Sequence, residues 1–258
     1  MAANLILAAV CLASVSQILA ASLGRSQLGR VLREPRSSEG PGPNPYVVGV
    51  VIFLLLIAVA ANFSPGVTTP PPVTESARDI AWVAVAGGAV RLSAIVCVAV
   101  VGGGGLSSLG VRPSDVSRDI RVGVQAAAAV FLPTLVLSLL STAQNHPLID
   151  TLRTDPSPLV LLGLFLSACV LAPLSEELAF RGLVQNMLSR RIKAEAAIVL
   201  TAMLFLGVHP PGTIAALIPA AFGFGYVYHQ TQSLVASASM HAAFNGLVLL
   251  ISTASAVG

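Results

Sequence analysis

Stretches of about 20 residues that are almost free of charged side chains recur along this chain of 258 residues. A helix of that length crosses the hydrocarbon layer of a bilayer, and a helix satisfies its own backbone hydrogen bonds in lipid. Only 10% of the residues are charged, against about 25% in a typical soluble domain. The sequence therefore predicts an all-α protein, a polytopic transmembrane helical bundle.

Hydropathy predicts about eight spans. They cover residues 3–23, 46–62, 80–101, 120–142, 158–188, 194–209, 212–229 and 233–254. The first is expected to be a retained helix, because no basic residue precedes it, with cleavage near Ala20 to Ser22 as the alternative. The linker of residues 24–45 is rich in Pro, Gly and Arg, which favours a loop. We expect residues 1–104 to supply N-terminal transmembrane helices and residues 105–254 to form the functional core.

Basic residues concentrate in alternate connections, around Arg30, Arg118 and Arg191. We expect the protein to lie in the plasma membrane. The positive-inside rule then places these connections in the cytoplasm and both termini outside the cell. The net charge of +3 is explained by these loops, so no nucleic-acid partner is expected. Arg91 stands in the middle of the third span. It either snorkels to the interface, pairs inside the bundle or marks two shorter helices.

Polar groups of the last hundred residues fall on three predicted spans. They are Glu176, Glu177 and Arg181 in the fifth, Phe205 and His209 at the end of the sixth, and His241 and Asn245 in the eighth. An ionisable group inside a span costs about 2.5–3.5 kcal/mol on insertion scales, so each group requires a reason to be there. We expect the three helices to present these groups to one shared interior.

Helical spacing assigns different tasks to the two neighbouring glutamates. Glu177 and Arg181 are four residues apart and suit an ion pair, whereas Glu176 points about 100° away and lacks that partner. A carboxylate without a partner in a desolvated interior suits a general base. His241 and Asn245 share one face and offer donors to an oxyanion. Taken singly, each group also has a structural interpretation, as a buried pair, a helix cap or a core histidine.

The three patterns Glu-Glu-x-x-x-Arg at 176–181, Phe-x-x-x-His at 205–209 and His-x-x-x-Asn at 241–245 occur in this order. In these three motifs and their order, residues 105–254 resemble the CPBP family of intramembrane proteases. The family is named for CAAX proteases and bacteriocin-processing enzymes. Gln232 departs from the family's pattern, which commonly has glycine in that turn.

This resemblance implies catalytic roles for four residues. Glu176 would activate water with the assistance of His209, while His241 and Asn245 would form the oxyanion site. Glu177, Arg181 and Phe205 would support them.

The expected function is that of a membrane-embedded endopeptidase acting on membrane-associated or prenylated peptide and protein substrates. No Gly-x-Ser-x-Gly motif is present, which favours direct attack by water without a covalent intermediate. The alternatives are a non-enzymatic scaffold or immunity protein that retains the motifs, and an ion-coupled transporter. The polar groups cluster in one half of the chain, which disfavours the transporter.

No cofactor is expected, and a bound divalent metal is the second interpretation. Glu176, His209 and His241 could form a two-His, one-carboxylate set. However, each histidine comes from a separate helix, unlike the His-Glu-x-x-His metal proteases. We also expect the site to open to the cytoplasm, with the fifth and sixth helices projecting beyond the membrane near residues 190–193.

Overall fold

The computed structural model describes residues 2–33, 36, 42–63, 76–101, 109–111, 115–140 and 147–257. These residues form helices and short connections, with no strand in the described ranges. We label the helices α1 (Ala2–Ser22), α2 (Gln27–Arg33), α3 (Pro45–Phe63), α4 (Ala77–Val101), α5 (Val116–Leu140), α6 (Pro147–Thr154), α7 (Pro158–Ser189), α8 (Ala194–Gly207), α9 (Ile214–Thr231) and α10 (Leu234–Val257). The predicted all-α bundle is confirmed.

Six of these helices are long and apolar enough to cross a membrane, namely α1, α4, α5, α7, α9 and α10. The shorter apolar helices α3 and α8 coincide with the two remaining predicted spans. Large apolar side chains such as Leu12 and Phe53 are exposed in the isolated chain, as expected for helices whose outer surfaces contact lipid. The protein is therefore an integral membrane protein.

The linker predicted as a loop contains the short helix α2, so that part of the prediction is wrong. Leu28 and Val31 of α2 are buried in the main hydrophobic core. The Gln125 side chain of α5 also accepts a hydrogen bond of 3.0 Å from the Leu28 backbone N–H. Burial of one apolar face stabilises a helix of seven residues, which would be too short to be stable in isolation.

Hydrogen bonds near the ends of the helices define two opposite ends of the bundle. At the end that carries the basic residues, the Arg36 N–H donates to the Gln230 carbonyl at 3.0 Å, and the Leu234 N–H donates to the Gly110 carbonyl at 3.0 Å. At the other end, the Asn62 side chain donates to the Gly207 carbonyl at 3.2 Å. Helices joined in sequence thus run in alternate directions, as successive membrane spans do.

A serine of α1 compensates for a proline inside α5. Pro133 has no N–H to donate to the Ala129 carbonyl one turn earlier. The Ser14 hydroxyl donates to that carbonyl at 3.2 Å and accepts from the Leu132 N–H at 3.2 Å. An unsatisfied backbone group is costly in an apolar interior, so this contact fixes α1 against α5.

Helices α5 and α10 approach each other closely at Gly123. A Cβ at this position would lie 2.7 Å from the Met240 backbone nitrogen. Only glycine permits this approach, and it brings α10 into the centre of the bundle. His241, the next residue after Met240, is held in the interior for the same reason and is 4% exposed.

Candidate active site

Helix α7 is continuous from 158 to 189 but is not a regular α-helix. The segments Phe165–Leu171 and Leu178–Gln185 are π-helical, and the α-helical turn Ala172–Glu177 lies between them. Such π-helical turns are rare and are frequent at functional sites. Glu176 and Glu177 therefore occupy a short regular turn between two widened ones.

Glu177 and Arg181 form the ion pair that their spacing predicts. Arg181 Nη1 donates to Glu177 Oε1 at 3.0 Å, and neither side chain has any exposed surface. Arg181 Nη2 also donates to the Ala221 carbonyl of α9 at 3.1 Å. The guanidinium lies 4.8 Å from the ring centroid of Phe205 and 5.3 Å from that of Phe224. This buried cation links α7, α8 and α9.

His241 bonds to the same carboxylate as Arg181. Its Nδ1 lies 3.0 Å from Glu177 Oε1, and its ring stacks on Phe224 with centroids 4.4 Å apart. A carboxylate that is paired with an arginine accepts hydrogen bonds, so Nδ1 is assigned as the donor. The other ring nitrogen, Nε2, then faces Glu176 Oε2 at 4.0 Å. Glu177 thus orients His241 towards the neighbouring glutamate.

Glu176 has an ionic partner that helical spacing did not predict. Its Oε1 lies 3.8 Å from Arg91 Nη1 of α4, so the expectation that this carboxylate is unpaired is wrong. The partner comes from a different helix, which spacing within α7 cannot reveal. The Glu176 side chain remains 16% exposed, unlike the fully buried Glu177.

The continuity of α4 excludes one of the three sequence interpretations of Arg91. Helix α4 runs without interruption from Ala77 to Val101, and the half-exposed Arg91 side chain reaches Glu176 of α7. The segment is therefore one span and not two shorter helices.

His209 and Phe205 lie one turn apart at the end of α8. His209 Nδ1 is 2.6 Å from the Phe205 carbonyl, which can only accept, so Nδ1 donates and Nε2 is the remaining ring nitrogen. The Phe205 ring lies between the two histidines, with centroids 4.4 Å from His209 and 5.8 Å from His241. From α3, the Asn62 side chain donates to the His209 carbonyl at 3.5 Å.

Asn245 lies one turn after His241, and its amide is already engaged. Asn245 Nδ2 donates to the Ala168 carbonyl of α7 at 2.7 Å. In this π-helical stretch the Ala172 N–H reaches back five residues, to the Ser167 carbonyl. The next donor in that register would be Pro173, which has no N–H, so the Ala168 carbonyl is left to Asn245. One amide hydrogen of Asn245 remains for another acceptor.

The structure thus brings Glu176, Glu177, Arg181 and His241 into direct contact, and it joins His209 to them through the Phe205 ring. Asn245, one turn after His241, contacts the same helix α7 at Ala168, about two turns before Glu176. Among the described residues, no group of three His, Cys, Asp or Glu side chains is arranged to hold a metal ion. Sequence reasoning missed the contributions of Arg91 and Asn62, although a charge inside an apolar span was a signal for the first.

Comparison with known proteins gives one family. The model of the type II CAAX prenyl endopeptidase Rce1-like family matches residues 158–247, which include all three polar motifs. No curated protein and no solved structure matches the chain. The matched segment begins at α7, so Asn62 and Arg91 lie outside it.

Proposed function

We propose, from the match of residues 158–247 to the model of the Rce1-like family of type II CAAX prenyl endopeptidases, that this chain is an intramembrane endopeptidase that uses Glu176 to activate water. The observation that supports this best is the contrast between the two neighbouring glutamates. Glu177 is fully buried and its Oε1 accepts from both Arg181 and His241, whereas Glu176 keeps exposed surface and faces the free nitrogen of His241. Of the two carboxylates, Glu176 is the one that a water molecule can reach.

In the proposed reaction, a water molecule bonds to Glu176 and to His241 Nε2. The two atoms are 4.0 Å apart, beyond direct hydrogen-bond distance but close enough for one water to contact both. Glu176 takes a proton as the water oxygen adds to the scissile carbonyl carbon, and the carbonyl electron pair moves to its oxygen. The same proton then passes to the departing amine as the C–N bond breaks. No covalent intermediate forms.

His209 and Asn245 act beside this pair in the proposal. His209 assists Glu176 through Nε2, because its Nδ1 is bound to the Phe205 carbonyl. Asn245 offers its one remaining amide hydrogen to the oxyanion, whereas His241, with its proton on Nδ1, accepts from the water through Nε2 and has no hydrogen there to donate. Phe205 sets the spacing of the two imidazole rings. The reaction requires no metal ion or other cofactor.

The proposed substrates are membrane-associated or prenylated peptides that reach the site from the bilayer. The substrate ending that fits the family's description is a prenylated cysteine followed by two aliphatic residues and a C-terminal residue. We propose the plasma membrane as the location and a cytoplasmic opening of the site. Nucleic acid has no part in this proposal.

The experiment compares cells that carry the natural chain, the Glu176→Gln variant or the Glu195→Gln variant. Glu195 is an exposed glutamate in the first turn of α8 and serves as the matched control. We expect uncleaved membrane peptides to accumulate with Glu176→Gln alone. Purified protein in lipid vesicles should cleave the same peptides after prolonged chelation and should form no hydroxamate when hydroxylamine is added. A scaffold would keep its cellular role in the Glu176→Gln variant, and that result would refute the proposal.

A further inference from the structure

Close packing of α4 on α7 brings Arg91 to the proposed base. A Cβ at Gly88 would lie 3.0 Å from Leu171 Cβ, and a Cβ at Gly163 would lie 3.0 Å from Ala81 Cβ. At this distance even a Cβ at Gly88 would require Leu171 to shift by a few tenths of an ångström. Since Arg91 lies one turn after Gly88 on the same face, it projects along α7 towards Glu176.

The guanidinium of Arg91 has hydrogen-bonding capacity to spare. Arginine carries five N–H donors, and the contact with Glu176 at 3.8 Å is an ionic approach longer than a hydrogen bond. The side chain is 53% exposed, in contrast to the fully buried Arg181. A cation within an apolar span is costly to insert, which is consistent with a functional role.

In the proposed reaction, the motif residues of the matched segment have few hydrogens left to donate to the oxyanion. Asn245 has committed one of its two amide hydrogens to the Ala168 carbonyl. His241 has committed Nδ1 to Glu177, and its Nε2 bonds to the attacking water. A charged donor beside Glu176 can complete the site, because charge-assisted hydrogen bonds are stronger than neutral ones.

We infer that Arg91 is a further catalytic residue, whose guanidinium donates to the scissile carbonyl oxygen as that oxygen becomes negative. The inference rests on the proposed function and adds a group from outside residues 158–247. When water adds to the carbonyl carbon, the C=O electron pair moves to the oxygen and Glu176 holds the water proton. Arg91 keeps all of its protons and stabilises the oxyanion until the C–N bond breaks.

The test uses peptides that accumulate in cells carrying Glu176→Gln, with the purified variants assayed in lipid vesicles. Loss of one oxyanion donor typically lowers kcat about 10²–10³-fold. We expect a loss of kcat of about 10²-fold for Arg91→Gln, with KM little changed, because the bond strengthens only in the transition state. Arg91→Lys keeps the charge without the planar fork and should be intermediate. The control is Arg78→Gln, at an exposed arginine in the first turn of α4.

A second pair of variants tests the same contact without altering Arg91. Gly88→Val should push α4 away from Leu171 and lower kcat as Arg91→Gln does. Gly87→Val should have no effect, because nothing lies within 4 Å of a Cβ at Gly87. This pair decides the question if Arg91→Gln fails to fold, which thermal unfolding will show.

The outcomes separate the two proposals. Normal kcat in Arg91→Gln and Gly88→Val, with Glu176→Gln inactive, overturns the role of Arg91 alone. A raised KM with unchanged kcat in the Arg91 variant also overturns it and assigns Arg91 to binding an anionic group of the substrate. An active Glu176→Gln variant refutes the proposed function, and the inference with it.

Discussion

Replacing Glu177 by alanine should destabilise the protein severely, although Glu177 is not the proposed base. The change leaves the Arg181 guanidinium buried without its counter-charge and removes the acceptor of His241 Nδ1. Breaking a buried pair by removing one partner costs about 3–5 kcal/mol. At about 2–4 °C per kcal/mol for a chain of this size, we expect the unfolding temperature to fall by about 6–20 °C.

The assay is thermal unfolding in detergent micelles, followed by circular dichroism, with Glu176→Gln as the comparison. The contacts of Glu176 are 3.8 Å and 4.0 Å long and partly exposed, so that variant should unfold within a few degrees of the natural protein. Equal unfolding temperatures for Glu177→Ala and the natural chain would refute the buried-pair account.

A double variant separates the stability of this pair from its effect on His241. Apolar residues that replace both members of a buried pair are often neutral or stabilising. Glu177→Leu combined with Arg181→Met should therefore recover part of the unfolding temperature lost in Glu177→Ala, because His241 Nδ1 still lacks its acceptor and the Ala221 carbonyl loses its Arg181 donor. Activity should stay low, because His241 no longer has the carboxylate that orients it. Recovered activity would show that Glu177 has no positioning role.

Two further predictions concern Asn245 and the topology. Asn245→Ala should lower the free energy of unfolding by about 1–3 kcal/mol, because the Ala168 carbonyl loses its donor. Adding Pro173→Ala should recover part of that loss by supplying an N–H. An unchanged unfolding temperature in the single variant would contradict this. Cysteines introduced near residues 2 and 256 should react with an impermeant reagent added to whole cells, whereas a cysteine at Arg191 should be protected. Protection at both termini would invert the assignment.

The helical architecture could be predicted because lipid imposes a simple requirement on composition and length. Every apolar stretch of sufficient length became a helix, including the span around Arg91. The short helix α2 was not predictable, since its stability comes from burial of Leu28 and Val31 against distant residues. Interactions at long range leave no periodic signal in a segment of seven residues.

The site could be predicted only where its contacts repeat a helical period. The Glu177–Arg181 pair follows directly from a spacing of four residues. The pairing of Arg91 with Glu176 depends instead on how closely Gly88 lets two helices approach, and that distance is a property of the packed bundle. The partner of Asn245 was hidden for another reason, because α-helical spacing gives no indication of a π-helical register.

The left-handed conformation of one residue links a sequence anomaly to local geometry. Gln232 ends α9 with a φ of 49°, a conformation that glycine adopts at little cost. Its side chain Nε2 donates to the His229 carbonyl at 2.8 Å, which satisfies a carbonyl in the last helical turn. The glutamine is therefore accommodated where the family resemblance led us to expect glycine.

The π-helical segments of α7 determine whether a change in its length rotates one part of the helix relative to the other. A π turn holds about one residue more than an α turn, so removal of one residue from Phe165–Leu171 can leave an unbroken α-helix. The parts of α7 before and after the deletion would keep nearly the same rotational phase, because the narrower α turn offsets the lost residue. A single-residue gap in an alignment at this point would therefore leave Glu176 facing Arg91, whereas the same gap in an α-helical part of α7 would turn the two parts by about 100° relative to each other.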